Sequence, residues 1–526
     1  MKNFHVSVSQ LFVLLVVIYS QRYSLTSAFI QSTPGFINKH NNNLEERKCC
    51  IIRKVVENHQ SNNNNEHGED DYNKDKEEYG ERKGIISKEK GESSKDTTTT
   101  LQQRCNNSNY LTQKIRNCQD LEELFELHSE INNYFYISFY WAQVSGFMYK
   151  ESERQKIRNN PGLLKPLVES TLDSSTKLNH PRYLAMIIHA IANISSRTRV
   201  SIIDSRKVWE ALKSNIVKEA EADTFFGARN SATILWAFAK MNQRSDKVFS
   251  IMKNQVVSNI GEFNSQAITN TVWAYAKMGY SDPKLFNVIS GEAMKKLDTF
   301  NNQGIANTLW AYAKAKHSSP QLFDAFSQKA MEKIDTFNSQ SIANTVWAYA
   351  KAGHSSPKLF DALSQKTIDN FDDLNSQNIA MILWAYAKAG HYSSSSPKLF
   401  DAISQKVTEE LDVFNSQGIA NIVWAYAKVS RHTSSPTKLF DDISRKALEK
   451  VDTFNSQEIA NILWAYAKVR RRGDVSSSEL LLFDALSQKA IEKLDTFNSR
   501  AMANTVWAYA KAGHPSPKLF DAISKR

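Results

Sequence analysis

The sequence has few cysteines, and they lack the spacing of a metal site or a disulfide framework. Its 526 residues include four, namely Cys49, Cys50, Cys105 and Cys118. They form no CxxC pair and no cysteine–histidine cluster with zinc-ligand spacing. We therefore expect no structural metal, no disulfide scaffold and no other cofactor.

Catalytic motifs are also missing. No Gly-rich phosphate loop, kinase catalytic motif or carboxylate cluster of a nuclease is found. The repeated C-terminal segments do not alternate between apolar and polar residues with period two, so strands are not expected there. The sequence thus predicts a protein that is not an enzyme.

Acidic residues are fewer than basic residues. Lysine and arginine together number 66 against 55 acidic residues, which gives a formal net charge of +11. Such an excess favours polyanionic partners, nucleic acid first and anionic membrane second. The alternative is a soluble protein that is simply basic.

The N-terminal apolar stretch is too short for a membrane anchor. Residues 11–19 are about half a bilayer span and are typical of a signal peptide. Thr26 and Ala28 predict cleavage after residue 28. Phe29 follows, in a segment without acids through Leu44. This arrangement resembles the bipartite presequences of diatoms and similar algae with secondary plastids. It implies plastid import, with plain secretion or the mitochondrial matrix as alternatives.

Composition divides the rest of the chain. Residues 29–105 are expected to hold a transit peptide and a disordered linker, because Asn, Glu, Lys and Ser dominate there. Residues 106–225 are expected to form degenerate helical repeats. Residues 226–526 are expected to form eight tandem repeats, the last of them truncated.

Tryptophan marks the tandem repeats. Successive tryptophans are 37, 40 or 43 residues apart, which is typical of a solenoid: Trp236, Trp273, Trp310, Trp347, Trp384, Trp424, Trp464 and Trp507. The extra residues are all inserted at one turn. We predict an all-α solenoid, a right-handed superhelix of helix-turn-helix units.

Each repeat is expected to contain two helices, A and B. Helix A begins after "FNS", where Asn or Ser caps it, and ends near a glycine in the left-handed region. Those glycines are Gly279, Gly353, Gly390 and Gly513. Helix B begins at Ser-Pro, as in Ser356 and Pro357, with the hydroxyl expected as the cap.

One face of helix A carries a polar stripe. At 100° per residue, the Gln seven before the Trp, the Asn three before it and the Lys four after it lie at about 20°, 60° and 40° from it. The Trp and Tyr are expected mainly to pack. The lysines are expected to bind phosphate: Lys240, Lys277, Lys314, Lys351, Lys388, Lys428, Lys468 and Lys511.

Base selection is assigned to two further columns. One is the asparagine column: Asn270, Asn307, Asn344, Asn421, Asn461 and Asn504. The other varies between repeats and lies at about 120°, beside the stripe: Asn230, Ala267, Gly304, Ser341, Asn378, Gly418, Glu458 and Ala501. Alternatively, the lysines complement helix dipoles, the asparagines join neighbouring repeats, and the variable position tolerates any residue.

Weaker units precede the array. Residues 183–194 have the shape of helix A, with His189 in the place of the Trp. A segment around Trp141 is a candidate for one more unit. Terminal repeats are expected to be atypical because one of their faces meets water.

The repeat "FNSQSIANTVWAYAKAG" (residues 337–353) resembles the octotricopeptide repeat of algal organelles. It is also similar to the FAST-kinase-like, RAP-domain and RNA-editing substrate-binding complex superfamily. The resemblance implies RNA binding in an organelle, acting in transcript stabilisation, processing or translation. Arg229, Thr233, Met381 and Arg500 depart from the pattern.

These observations predict a sequence-selective binder of single-stranded RNA. One base per repeat gives a footprint of about eight nucleotides. A nuclease, a ribosome or other RNA-processing proteins are the expected protein partners. The alternative is an armadillo-type scaffold that binds a peptide along the same face.

Overall fold

The computed structural model describes residues 110–130, 134–202, 205–222, 224–391, 395–430, 437–470 and 476–525. Within these ranges all regular structure is helical and no strand occurs. The signal peptide, transit peptide and linker predicted for the N-terminus lie outside them. No helix within them combines the length and the apolar character needed to cross a bilayer.

Seven helices precede the tandem array within the described residues. α3 pairs with α5 and α6 pairs with α7, so the degenerate region contributes two helix pairs that continue into the array. α4 is an extra helix inserted between the members of the first pair. The seven are α1 (110–117), α2 (Leu121–Glu130), α3 (Ile137–Phe147), α4 (Glu151–Asn159), α5 (Lys165–Asp173), α6 (Pro181–Thr198) and α7 (Ser205–Glu221).

The array consists of eight A helices and eight B helices. The A helices of repeats 1 to 8 are Ala228–Lys240, Ser265–Lys277, Asn302–Ala315, Ser339–Ala352, Ser376–Ala389, Ser416–Val429, Ser456–Val469 and Ser499–Ala512. The B helices are Asp246–Ser258, Pro283–Lys295, Pro320–Glu332, Pro357–Asp369, Ser395–Glu409, Thr437–Glu449, Ser477–Glu492 and Pro517–Ser524. A single 3₁₀ turn, such as Ile334–Thr336, links each B helix to the next A helix.

The helices form two unequal layers. Consecutive A helices contact one another extensively, and consecutive B helices do so much less. Each repeat contacts mainly its neighbours, which confirms the predicted α-solenoid. We call the face of the A layer that carries the Trp and Lys columns the inner face. The handedness of the superhelix stays a prediction.

The sequence located the helix ends correctly, with one error. In repeats 2 to 8 an Asn caps helix A, as Asn338 does by accepting from the backbone N–H of Ser341 at 2.9 Å. The four glycines predicted to be left-handed have φ between 61° and 79°. The Ser356 hydroxyl makes no cap bond, because it lies 2.6 Å from the Ser327 hydroxyl of the preceding B helix.

A buried tyrosine joins each repeat from the second onward to the one before it. The Tyr349 hydroxyl donates to the Phe323 carbonyl at 2.6 Å, and Phe323 belongs to the preceding B helix. Equivalent bonds of 2.6–2.8 Å are made by Tyr275, Tyr312, Tyr386, Tyr426, Tyr466 and Tyr509. Burial raises the pKa of Tyr349 strongly, so it stays a neutral donor. The tyrosine column is therefore structural, as predicted.

Lysines near the ends of the B helices also connect neighbouring repeats. Lys333 Nζ donates to the Phe300 carbonyl at 2.7 Å. Lys329 Nζ lies 2.6 Å from a carboxylate oxygen of Asp298, in the 3₁₀ turn of the preceding repeat. The same ion pair recurs as Lys446–Asp412 and Lys489–Asp452. Lys329, Lys446 and Lys489 are thus neutralised within the fold, and Lys333 donates to backbone carbonyls.

Candidate nucleic-acid interface

The last turn of every A helix presents its lysine on the inner face. Seven of the eight are exposed, and Lys468 is half-buried. None of those seven forms an ion pair within the part of the chain that the structure describes. Their position also suits the helix dipole, so the two interpretations of this column are compatible.

Half-buried tryptophan rings line the same face. From Trp273 to Trp507 each ring lies 6.1–6.5 Å, centroid to centroid, from the next, with planes inclined by 30–33°. Lys277 Nζ lies 6.0 Å from the centroid of the Trp273 ring, and Lys468 Nζ lies 4.8 Å from that of Trp464. The rings stack between repeats, as predicted. The sequence predicted mainly a packing role for these rings. The structure also leaves part of each ring accessible beside the lysines.

Amide groups occupy the rest of the face. The glutamines of repeats 2 to 7 are exposed, and the asparagines are half-buried. One neighbouring asparagine pair is bonded within the described ranges, with Asn344 Nδ2 donating to Asn307 Oδ1 at 3.2 Å. Gln457 donates to Asn461 within its own helix at 2.9 Å. The asparagine column is therefore not a continuous inter-repeat ladder. We call the Gln, Asn, Lys and Trp columns together the inner stripe.

Comparison with protein-family models identifies the helical array. Residues 174–476, more than half of the chain, match the model of the RNA-editing substrate-binding complex 6 protein. The chain belongs to that family. No curated protein matches it.

In this family member the variable column is not beside the inner stripe. From repeat 2 onward these residues are buried at the third position of helix A. Their backbone N–H groups donate to the side chain of the capping Asn. A Cβ on Gly304 would lie 3.4 Å from Thr269 Oγ1 of the preceding A helix. The predicted location is therefore wrong, because 120° from the Trp is the side on which that neighbouring helix packs. This correction of the predicted location applies to Ala267, Gly304, Ser341, Asn378, Gly418, Glu458 and Ala501.

Two variable residues have further roles at the helix start. Glu458 accepts from the Asn455 backbone N–H at 2.9 Å, which completes a capping box. Asn230, in repeat 1, is half-buried and donates to the Phe226 carbonyl at 2.8 Å. These contacts are local. The role of the variable column in base selection stays a prediction.

The departures from the repeat pattern preserve the character of the inner stripe. Arg229 and Arg500 are exposed at the Gln position and add positive charge. His189 lies in the Trp column as predicted, since its ring centroid is 5.4 Å from that of Trp236. Partial desolvation, with a smaller contribution from the charge of Arg229, lowers the pKa of His189.

The segment around Trp141 forms an A-type helix, α3, but Trp141 is not in the Trp column. It is fully buried and donates from Nε1 to Thr171 Oγ1 at 2.9 Å. Its position corresponds to the Val or Leu that precedes the Trp in later repeats. Within the described ranges, no group of His, Cys, Asp and Glu side chains is arranged to hold a metal ion.

Proposed function

We propose that this protein binds single-stranded RNA along the inner stripe and is not itself an enzyme. The observation that carries the proposal is a column of eight lysines on one face, seven of them exposed and without an ion pair to any described residue. The A helices bring no acidic side chain into the stripe beside them. An unbalanced row of cations with a regular spacing suits a phosphate backbone.

The bases would lie against the tryptophans and the amides. Half-buried aromatic rings supply stacking surfaces that any base can use. Exposed glutamines and half-buried asparagines supply donors and acceptors for base edges. We assign sequence selection first to these amides, because the variable side chains are buried between A helices. One base per repeat gives a footprint of about eight nucleotides.

The cellular setting is a further part of the proposal. The family's name refers to an RNA-editing substrate-binding complex, and we extend RNA binding to this chain but not editing. The repeat motif supports a place among octotricopeptide-like organelle proteins. The N-terminal sequence supports plastid import, with the mitochondrial matrix as the alternative. Transcript stabilisation, processing or translation are the roles that such binding would serve, with RNA-processing proteins as partners.

The test is a binding selection with the purified chain. A random single-stranded RNA pool is retained at two salt concentrations and the retained RNA is sequenced. We expect salt-sensitive retention and an enriched motif of about eight nucleotides. No retention even at low salt would refute RNA binding and favour the armadillo-type protein scaffold instead.

A further inference from the structure

A second basic site lies outside the inner stripe, in the degenerate repeats. It is a pocket between the extra helix α4 and the C-terminal end of α6. Four arginines and one carboxylate meet there: the lining consists of Glu151, Arg154, Arg158, Ser196, Arg197 and Arg199. The proposed function does not use this pocket.

Glu151 orients two of the arginines. Arg154 Nε donates to Glu151 Oε2 at 2.7 Å, and Arg158 donates to Oε1 at 2.5 Å. The hydrogen bonds from Arg154 and then Arg158 lower the pKa of Glu151, so it stays ionised. Arg154 also donates to the Met148 carbonyl at 2.7 Å. One carboxylate thus fixes two guanidinium groups and leaves the pocket positively charged.

The other two arginines come from the end of α6. The Arg197 guanidinium lies 4.0 Å from the centroid of the Tyr149 ring, and its Nε donates to Asn193 Oδ1 at 2.9 Å. Arg199 ends α6 in the left-handed region with φ of 59°, and it is exposed. No described side chain pairs with its guanidinium. The pocket therefore retains cations that no described carboxylate neutralises.

The pocket lies where the lysine column ends. If His189 is aligned with the tryptophans, Asn193 takes the position that lysine has in the eight repeats. Arg197 is bonded to Asn193 and therefore lies next to that position. A strand that follows the lysines towards the N-terminal repeats would reach the arginines at its end.

We propose that this pocket binds the terminal phosphate monoester of a single-stranded RNA that lies on the inner stripe. The inference rests on the proposed function. An internal phosphodiester carries one negative charge, which one lysine per repeat can match. A terminal monoester carries about −1.5 to −2 at pH 7 and has three acceptor oxygens. Planar guanidinium forks bind such a group bidentately.

The test compares three RNAs of the same sequence, with a 5′ phosphate, a 3′ phosphate or hydroxyls at both ends. Binding to the full chain is followed by fluorescence anisotropy. We expect one terminal phosphate to tighten binding by about tenfold, as one or two charged hydrogen bonds would. Arg197→Gln with Arg199→Gln should abolish that preference and leave the hydroxyl-ended RNA within about twofold.

Arg244→Gln with Arg445→Gln is the matched control, because both arginines are exposed and lie away from the pocket and the inner stripe. This variant should keep the preference. Circular dichroism and thermal unfolding of both variants check that the fold is retained. If the three RNAs bind the unsubstituted chain equally, the pocket proposal is overturned while RNA binding stands. Equal weakening of all three RNAs by the pocket variant would also overturn it.

If no RNA binds, the proposed function fails, and titration with inorganic phosphate decides about the pocket itself. Saturable thermal stabilisation that the pocket variant loses would retain a phosphate site for a ligand other than RNA. Absence of stabilisation would eliminate the site altogether.

Discussion

Lysines on the two helical layers differ in what surrounds them. In the B layer, Lys329 pairs with Asp298 and Lys333 donates to a carbonyl, so their charges hold repeats together. In the A layer, Lys351 is exposed and has no ion pair with any residue that the structure describes. Lysine near the end of a B helix thus joins neighbouring repeats, whereas lysine at the end of an A helix remains available to a ligand. In the A layer the exposed lysines share one face with the tryptophans and the amides, and that face is where a ligand would lie.

The largest expected effect comes from removing charge from the A layer. Lys314→Gln, Lys351→Gln and Lys388→Gln together should weaken RNA binding about a hundredfold. The slope of log affinity against log salt should fall in magnitude by about 2, since each lost phosphate contact on a single strand removes about 0.7. Anisotropy titrations at several salt concentrations measure both quantities.

The matched control removes the same charge from exposed lysines of B helices. Lys284→Gln, Lys358→Gln and Lys398→Gln together should change affinity by less than about threefold, because these residues lie off the inner stripe. Equal losses in the two triple variants would show that net charge and not the stripe attracts RNA.

The next effect concerns the bond between layers. Tyr349→Phe removes a buried hydrogen bond to the Phe323 carbonyl, which keeps its donor within its own helix, and should cost about 0.5–1.5 kcal/mol of unfolding free energy. RNA affinity should not change. Tyr280→Phe is the control: its hydroxyl bonds to the exposed Asp246, so water can replace it and the loss should be smaller. Urea unfolding measures both, and equal losses would contradict the structural role of the tyrosine column.

A substitution at a position buried between neighbouring A helices should raise the free energy of unfolding. Within the described residues the Thr345 hydroxyl is fully buried and has no hydrogen-bond partner, and repeats 5 to 7 have isoleucine at its position. Thr345→Val should therefore raise the unfolding free energy by about 1 kcal/mol. Thr308→Val should give no such gain, because the Thr308 hydroxyl lies 3.2 Å from that of Thr269. A loss of stability in Thr345→Val would show that the hydroxyl is satisfied.

The smallest effect concerns the B-layer ion pairs. The hydrogen bond from Lys329 lowers the pKa of Asp298, so the unfolded chain binds its proton more readily. The resulting stability is present above the ordinary carboxylate pKa of about 4 and is lost as pH falls through the lowered value. Asp298→Asn should lower Tm slightly at pH 7, and the difference should shrink in acid.

Asp335→Asn is the control for that measurement. Asp335 has the same place in the next repeat, and none of the ion pairs within the described ranges includes it. This variant should unfold like the unsubstituted chain at both pH values. A pH-dependent difference of the same size in both variants would mean that the ion pair contributes nothing.

Much of this architecture could be predicted because one pattern recurs eight times. Periodicity, the Asn caps and the left-handed glycines are local properties, and Gly353 alone identifies the end of a helix. Contacts between repeats were not predictable in the same way. A helical wheel assigned Ser341 to the surface beside the stripe because it contains no neighbouring helix. The tyrosine bond to Phe323 and the partners of Ser356 depend equally on how repeats dock.

The degenerate repeats were harder for the same reason. Trp141 occupies the core position before the Trp column. One isolated tryptophan without the repeat spacing around it could not be aligned with the later repeats. The arginine pocket combines α4, which has no counterpart in the array, with the end of α6. A signal existed in Arg154, Arg158, Arg197 and Arg199, but their convergence depends on the insertion of α4.

The tryptophan ladder has an optical consequence. Indole rings 6.1–6.5 Å apart are close enough to exchange excitation energy within the excited-state lifetime. Neighbouring rings of the ladder from Trp273 to Trp507 therefore share excitation, and a quencher beside one ring reduces the emission of its neighbours. The protein carries its own fluorescent reporter along the whole inner face, with no label required.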